Sequence, residues 1–275
     1  MENKVVNTWW WPEPGNFGDV LTPILFKELF GYDSNYVNRG FLLPQNYDEN
    51  RPQTMLEREH VLAVGSIIAM ALDYTVIWGS GLLAANEKPN TNARYLSVRG
   101  PHTHKVLTEQ HGISCPPIFG DPALLMPRVF NATKRNKYAY GFFAHYVDTE
   151  QVTEWYGDNP DIKIINACNP DPIDSIVELL QCERIISSSL HGIIIAHAYG
   201  IPAVWVKHTG RLFGDDIKFR DHFASVGLEE QKAVIFNESK PVSEFSSFPY
   251  QNDIQIDLDK IQNAMQEYLD EKDAQ

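Results

Sequence analysis

Cysteine is scarce in this 275-residue chain: Cys115, Cys168 and Cys182 lie far apart, odd in number, with no CxxC or Cys/His spacing. That pattern gives no zinc signature and fits reduced thiols in a cytoplasmic protein. Basic residues are a minority, 23 against 36 acidic, for a net charge of −13. General nucleic-acid binding needs a basic face to displace counterions, so this balance argues against it. An anionic small substrate stays open, because a few local Lys and Arg can dominate one cleft. Long apolar runs are missing too. The longest, Ile193 to Ala203, is broken by His197, Gly200 and Pro202 and cannot span a bilayer. The opening stretch from Met1 to Asn7 has no apolar core of signal-peptide length. The expected location is therefore cytoplasmic, in solution or peripheral at the inner membrane. No internal repeat, low-complexity tract or metal-binding cluster is visible.

What is present is an ordinary globular composition, 43% hydrophobic and 12% aromatic, arranged as alternating strands and helices. Val5–Trp10 reads as a first strand, and the loop Pro12-Glu13-Pro14-Gly15 follows it. A helix is expected over Val20–Phe30, with Asp19 as N-cap, Pro23 in its first turn and Gly31 at its end. Residues 33–58 read as a polar, loop-rich insertion. Buried strands are expected at His60–Val64, Thr75–Trp78 and Arg94–Val98, and a helix near His102–Gln110. The polar, basic stretch Asn131–Lys137 reads as a linker. After it come strand Tyr138–Phe143, a helix, strand Ile162–Ile165, helix Pro172–Gln181, strand Arg184–Ile186, helix Leu190–Tyr199 and strand Ala203–Val206. Leu258, Ile261, Met265 and Leu269 recur at helical spacing near the C-terminus, a face suited to packing on the body. The expectation is an α/β protein of two Rossmann-like halves facing across a cleft, divided as 1–132 and 133–275. In open α/β sheets ligands lie beyond the carboxyl ends of the strands, and every candidate motif falls at such a place.

The strongest motif is Ser187-Ser188-Ser189-Leu190-His191-Gly192, running from a strand into a helix that Ser189 can cap. That geometry offers backbone N–H groups and one imidazole to an anion; an isolated Leu-His-Gly would read as a core histidine, and the accompanying motifs tip the balance. Asn16-Phe17-Gly18-Asp19 sits at the first strand–helix turn, where Gly18 permits close approach or simply its own dihedrals. Gly79-Ser80-Gly81 after a buried strand forms either a close-approach loop or a plain tight turn. Arg99 ends a strand before a helix opened by Pro101, placed to grip a carboxylate or phosphate, or to pair with a structural carboxylate such as Asp121. Asp121 itself reads as structural, capping its turn or orienting Arg99. Lys207, His208, Arg211, Lys218 and Arg220 concentrate positive charge after the last cleft strand. A solvated loop is the plain reading of that stretch, above all for Arg220.

Taken in order, Asn16–Asp19, Gly65-Ser66, Trp78–Gly81, Ser97–Gly100, Gly120–Ala123, Ser188–Gly192 and Lys218-Phe219-x-Asp221 resemble the polysaccharide pyruvyl transferase family, over about Val5 to Gly227. The pieces look most like its exopolysaccharide branch. The resemblance implies a fold similar to GT-B glycosyltransferases, with phosphoenolpyruvate as donor substrate and no cofactor or metal. The product would be a cyclic pyruvate ketal on two hydroxyls of a hexose, in a polysaccharide or a precursor that is lipid-linked or free. Some members carry an arginine two residues before the motif histidine, where this chain has Ser189, so Lys207, Arg211 or Lys218 would supply that anion contact. The expected roles are anion binding by Arg99 and a lysine, acid/base work or phosphate stabilisation by His191, and hydroxyl contact or base for Asp19. Asn16, Gly18, Gly79, Ser80, Gly81, Ser188, Ser189 and Leu190 would complete the substrate contacts. Residues 9–14 and 33–58 would set acceptor specificity, with Trp9-Trp10-Trp11 offering aromatic surface to a sugar. Two rivals share these features: a GT-B nucleotide-sugar glycosyltransferase, and an assembly component of that fold without turnover.

Overall fold

The structure, a computed structural model, describes residues 4–11, 16–37, 59–208, 214–228, 231–236 and 238–274. Among these residues ten strands form two five-stranded sheets, and every strand pairing within them is parallel. The first holds β1 (Val5–Trp9), β2 (Asp33–Tyr36), β3 (His60–Leu62), β4 (Thr75–Trp78) and β5 (Arg94–Ser97). The second holds β6 (Tyr138–Phe143), β7 (Ile162–Ile164), β8 (Cys182–Ser187), β9 (Ala203–Lys207) and β10 (Val234–Ile235). Their orders are β2-β1-β3-β4-β5 and β7-β6-β8-β9-β10. Counted from its own first strand, each sheet therefore reads 2-1-3-4-5. The winding reverses between β1 and β3 in one sheet and between β6 and β8 in the other. Such reversals open a crevice at the strand carboxyl ends. β3 and β4 are buried along their whole length, as central parallel strands covered on both faces should be.

The first helical segment is composite. A 3-10 turn over Asp19–Leu21 leads into α1 (Thr22–Leu25) and a π-helical turn over Phe26–Phe30, closed by Gly31 at φ 76°. Gly18, not Asp19, holds the N-cap position, and the Asp19 side chain is buried. α2 (Pro101–Lys105) likewise continues as a π-helical turn, Val106–Gln110. Then come α3 (Met126–Val129), α4 (Thr149–Tyr156), α5 (Pro172–Leu179), α6 (Leu190–Ala198), α7 (Ile217–Ser225) and α8 (Leu258–Asp273). The expected insertion at 33–58 begins with a strand instead. β2 pairs along β1 from Val5↔Asp33 to Thr8↔Tyr36. The remainder of that insertion, residues 38–58, and the loop Pro12–Gly15 lie outside the described residues. Val98, expected to end its strand, forms only an isolated bridge to Phe119.

Asn131–Lys137 carries no helix or strand and lies along the second half: the Arg135 and Lys137 N–H groups donate to the carbonyls of Leu180 and Gln181. α8 crosses back to the first sheet. It buries Ile261, Met265 and Leu269, its Ile261 carbonyl accepts the Trp78 indole N–H at 2.8 Å, and Glu271 pairs with Arg94. The largest core cluster joins Val6, Leu25 and Trp78 to Ile193, Ile194 and Phe219. Apolar packing is thus continuous across the expected 132/133 division.

Candidate active site

The two winding reversals face one cavity of about 410 Å³. Trp11, Asn16, Phe17 and Asp19 reach it after β1, and Ser66, Ile67 and Met70 after β3. Leu83 and Glu87 follow β4, His145, Tyr146 and Val147 follow β6, and Ser189, Leu190 and His191 follow β8. Lys218 comes from α7, beyond β9. Every lining residue therefore lies past a strand's carboxyl end.

Two glycines let the walls close in on the polar side chains. A Cβ on Gly18 would lie 2.0 Å from the His191 ring, so only hydrogen there lets the imidazole rest on the turn. Gly65, at φ +116°, would place a Cβ 2.5 Å from Asp19 Oδ1. Its positive φ and that close approach both require glycine.

Of the expected site residues, Asn16, Asp19, Ser189, Leu190, His191 and Lys218 line the cavity. Gly18, Gly79, Ser80, Gly81, Arg99, Ser188 and Lys207 are not among its lining residues. Gly79, at φ +75°, abuts Gly120 and Pro122, while Gly81 abuts the Arg99 guanidinium. Ser80 is buried, and its hydroxyl donates to the Gly65 carbonyl at 2.8 Å. Ser188 donates to Asp148 at 2.8 Å and accepts the His145 N–H at 3.0 Å, tying the β6 loop to the β8 loop. Ser189 occupies the N-cap of α6, but its hydroxyl makes no cap bond. Its own N–H goes to Ser187 Oγ, which also bonds the Phe143 carbonyl. Lys207 pairs with Asp216. Arg211 lies outside the described residues. Trp9 is buried, Trp10 packs on Tyr36, and only Trp11 of that run lines the cavity.

Arg99 is fully buried, and its carboxylate is Asp221 at 3.3 Å, not Asp121. Its other donors reach the Leu82 carbonyl at 2.7 Å and Ser66 Oγ at 2.6 Å. Arg99 therefore meets the cavity through Ser66. Asp221 also accepts the His102 and Thr103 N–H groups at the start of α2, and the Thr103 hydroxyl. This latch joins the two halves, and Arg99 ties it to Ser66 on the cavity wall.

Asp121 caps its turn, accepting the Ala123 N–H at 3.0 Å through Oδ1. Instead of orienting Arg99, its Oδ2 faces His191 Nε2 at 3.7 Å. The sequence reading missed that contact, along with Glu87, His145 and Tyr146 as lining residues. His145 and Tyr146 carry no glycine-rich or capping signature. Their one sequence signal is their position directly after the first strand of the second series.

Burial governs the ionisation of these groups. Asp19 is pushed up to about 6, mainly by burial and further by Asp121, against the pull of His191 and the Trp11 and Asp19 backbone N–H groups. Lys218 falls to about 8 through burial and the nearby Arg99, opposed by Asp216 and Asp19. His145 falls to about 4, through burial first and then Lys218 and His191, and stays neutral near pH 7. Glu87 is raised by burial, against the Leu83 and Ala84 N–H groups and Arg99. A carboxyl group and an amine that both titrate near neutrality suit proton transfer beside an anion.

Two comparisons bear on this site. The family model described as "Polysaccharide pyruvyl transferase" matches residues 16–210. A relative named "Uncharacterized protein L143", from Acanthamoeba polyphaga mimivirus, is 32% identical over 226 residues, covering 79% of this chain and 78% of the relative.

Proposed function

We propose that this chain, which belongs to the polysaccharide pyruvyl transferase family, takes the pyruvyl group from phosphoenolpyruvate and builds a cyclic ketal on two hydroxyls of a hexose. The observation that carries this reading is the meeting of Asp19, His191 and Lys218 in one cavity between the two winding reversals. In the assignment we propose, residues 1–132 form the acceptor side and present Asp19. Residues 133–275 form the donor side and present His191, Lys218 and the start of α6, whose dipole favours an anion. The 38% exposed Trp11 and the 47% exposed Tyr146 offer ring faces to a sugar where both line the cavity.

The proton account closes on two groups. His191, entering the cycle as the imidazolium, gives a proton to the methylene carbon of the donor, and the neighbouring carbon becomes oxocarbenium-like. One hexose hydroxyl adds to that carbon and passes its proton to Asp19. The second hydroxyl adds as the C–O bond to phosphate breaks, and its proton restores His191. Asp19 hands its proton to the departing phosphate. Lys218 balances charge on the donor, and Arg99 holds Ser66 in place beside it. Acid/base steps of this kind contribute typically 10²–10⁴-fold each.

Thermal stability with ligands tests the donor without an acceptor. A ligand at a hundred times its dissociation constant adds about 2.7 kcal/mol, or roughly 5–10 °C in a chain of this size. Phosphoenolpyruvate should give such a shift, sulfate and 2-phosphoglycerate much less, and Lys218→Met should abolish it. A shift with UDP- or GDP-sugars and none with phosphoenolpyruvate would replace this reading with glycosyl transfer.

A further inference from the structure

Asp121 has a second oxygen that the fold does not use. Oδ1 accepts the Ala123 N–H, while Oδ2 is buried without a hydrogen-bond partner among the described residues. His191 Nε2 is buried and equally unpartnered, 3.7 Å away. The ring packs against Gly18, where a Cβ would lie 2.0 Å from its Cγ and Nδ1. Asp19, His145 and His222 also act electrostatically on or with His191. Of these neighbours, Asp121 is the one whose side-chain oxygen is directed at Nε2 within ion-pair range.

We propose that Asp121 and His191 form a carboxylate–imidazole dyad, in which Asp121 keeps a proton on Nε2 and leaves Nδ1 as the nitrogen that exchanges protons with substrate. This rests on the reading of the site given above and names the atom that does its chemistry. A carboxylate offers only lone pairs, and a bare Nε2 lone pair facing it would be repelled, so the neutral ring carries its hydrogen on Nε2. When Nδ1 takes a second proton, the buried carboxylate stabilises the imidazolium. A separation of 3.7 Å is long for a hydrogen bond, and such contacts commonly tighten only once substrate is bound. Asp121 is thus a positioning residue: it acts on substrate through His191.

Asp121→Asn tests the dyad with the fold intact. The amide oxygen must stay on the Ala123 N–H, which turns the NH2 group toward Nε2. A donor in that place demands a lone pair on Nε2 and moves the ring hydrogen to Nδ1. Nitrogen-15 NMR of the full-length, substrate-free protein reads this directly. At a pH where the ring is neutral, the wild type should show the Nε2–H form of His191, and Asp121→Asn the Nδ1–H form, with an unchanged melting temperature. Turnover should fall roughly 10²–10⁴-fold, with KM for the donor within about threefold of wild type. A purely structural Asp121 predicts the wild-type tautomer and wild-type kcat in this variant, and either result overturns the dyad. The NMR readout uses neither donor nor acceptor, so it stands or falls apart from the identity of the reaction.

Discussion

Asp19 is 6% exposed, with one carboxylate oxygen unpaired among the described residues, and its ionisation is pushed from 3.8 to about 6. The folded state therefore holds this proton more tightly than the unfolded chain. The associated stability is fully present below the unfolded value of about 3.8 and is lost as pH rises through about 6. Two pKa units correspond to ~3 kcal/mol at neutral pH. Asp19→Asn should thus melt with wild-type stability near pH 4 and gain up to about 3 kcal/mol over the wild type by pH 7, while losing the carboxylate proposed as the base. Denaturant titrations of both proteins across that range check it, and parallel curves would rule out a charged, buried Asp19. At this scale the sequence was a partial guide. Asp19, His191 and Lys218 could be picked out because each sits at a marked strand–helix turn or in a basic stretch. The cap read for Asp121 holds, but its His191 contact was hidden, since it spans seventy residues of chain. Arg99 was found but its partner was not, because Asp221 arrives from the other half.

Elements set how closely these side chains approach one another. The turn after β1 brings Gly18 against the His191 ring from the far half of the chain, with no space for a methyl group. Gly18 itself has an ordinary right-handed conformation, φ −67°, so alanine there carries no backbone strain and its effect is purely one of contact. Gly18→Ala should displace the imidazole and lower activity by at least about tenfold, since misplacement by 1 Å can cost 10²-fold. Gly31→Ala is the control: it adds a Cβ in open space at φ +76° and should cost about 1 kcal/mol of stability with activity kept. Equal activity in the two variants would remove the contact argument. The strand–helix alternation itself was legible because parallel strands buried on both faces read as short apolar runs. β2 was not, because Asp33-Ser34-Asn35-Tyr36 is a polar edge strand whose pairing comes from β1, not from its own pattern. The breaks in the first helix were hidden too, since segments of three to five residues are too short to show a change of apolar spacing.

The molecule as a whole is two sheets of the same winding, bridged by three features: continuous apolar packing, α8 crossing back to the first sheet, and the buried Arg99–Asp221 pair. From sequence, the equal alternation of the two series suggested two halves and a cleft. It could not reveal that the core runs between them, because such contacts have no local pattern. This bridging makes a prediction about cooperativity. Asp221 bonds two N–H groups at the start of α2 and a hydroxyl on it, and neutralises a guanidinium with no exposure to solvent. Removing one member of such a pair leaves a buried charge uncompensated and costs ~3–5 kcal/mol. Asp221→Ala should therefore lower the melting temperature by roughly 10 °C, at about 2–4 °C per kcal/mol for a chain near this size. Because the core is shared, calorimetry should show one endotherm in the wild type and one in the variant, displaced as a unit. Two independent halves would instead give two endotherms, since the substitution would loosen their contact and leave each half's own midpoint in place. The same latch holds Lys218, three residues before Asp221 on α7, against the cavity. The variant should therefore also lose the phosphoenolpyruvate binding proposed for the wild type, even well below its melting temperature.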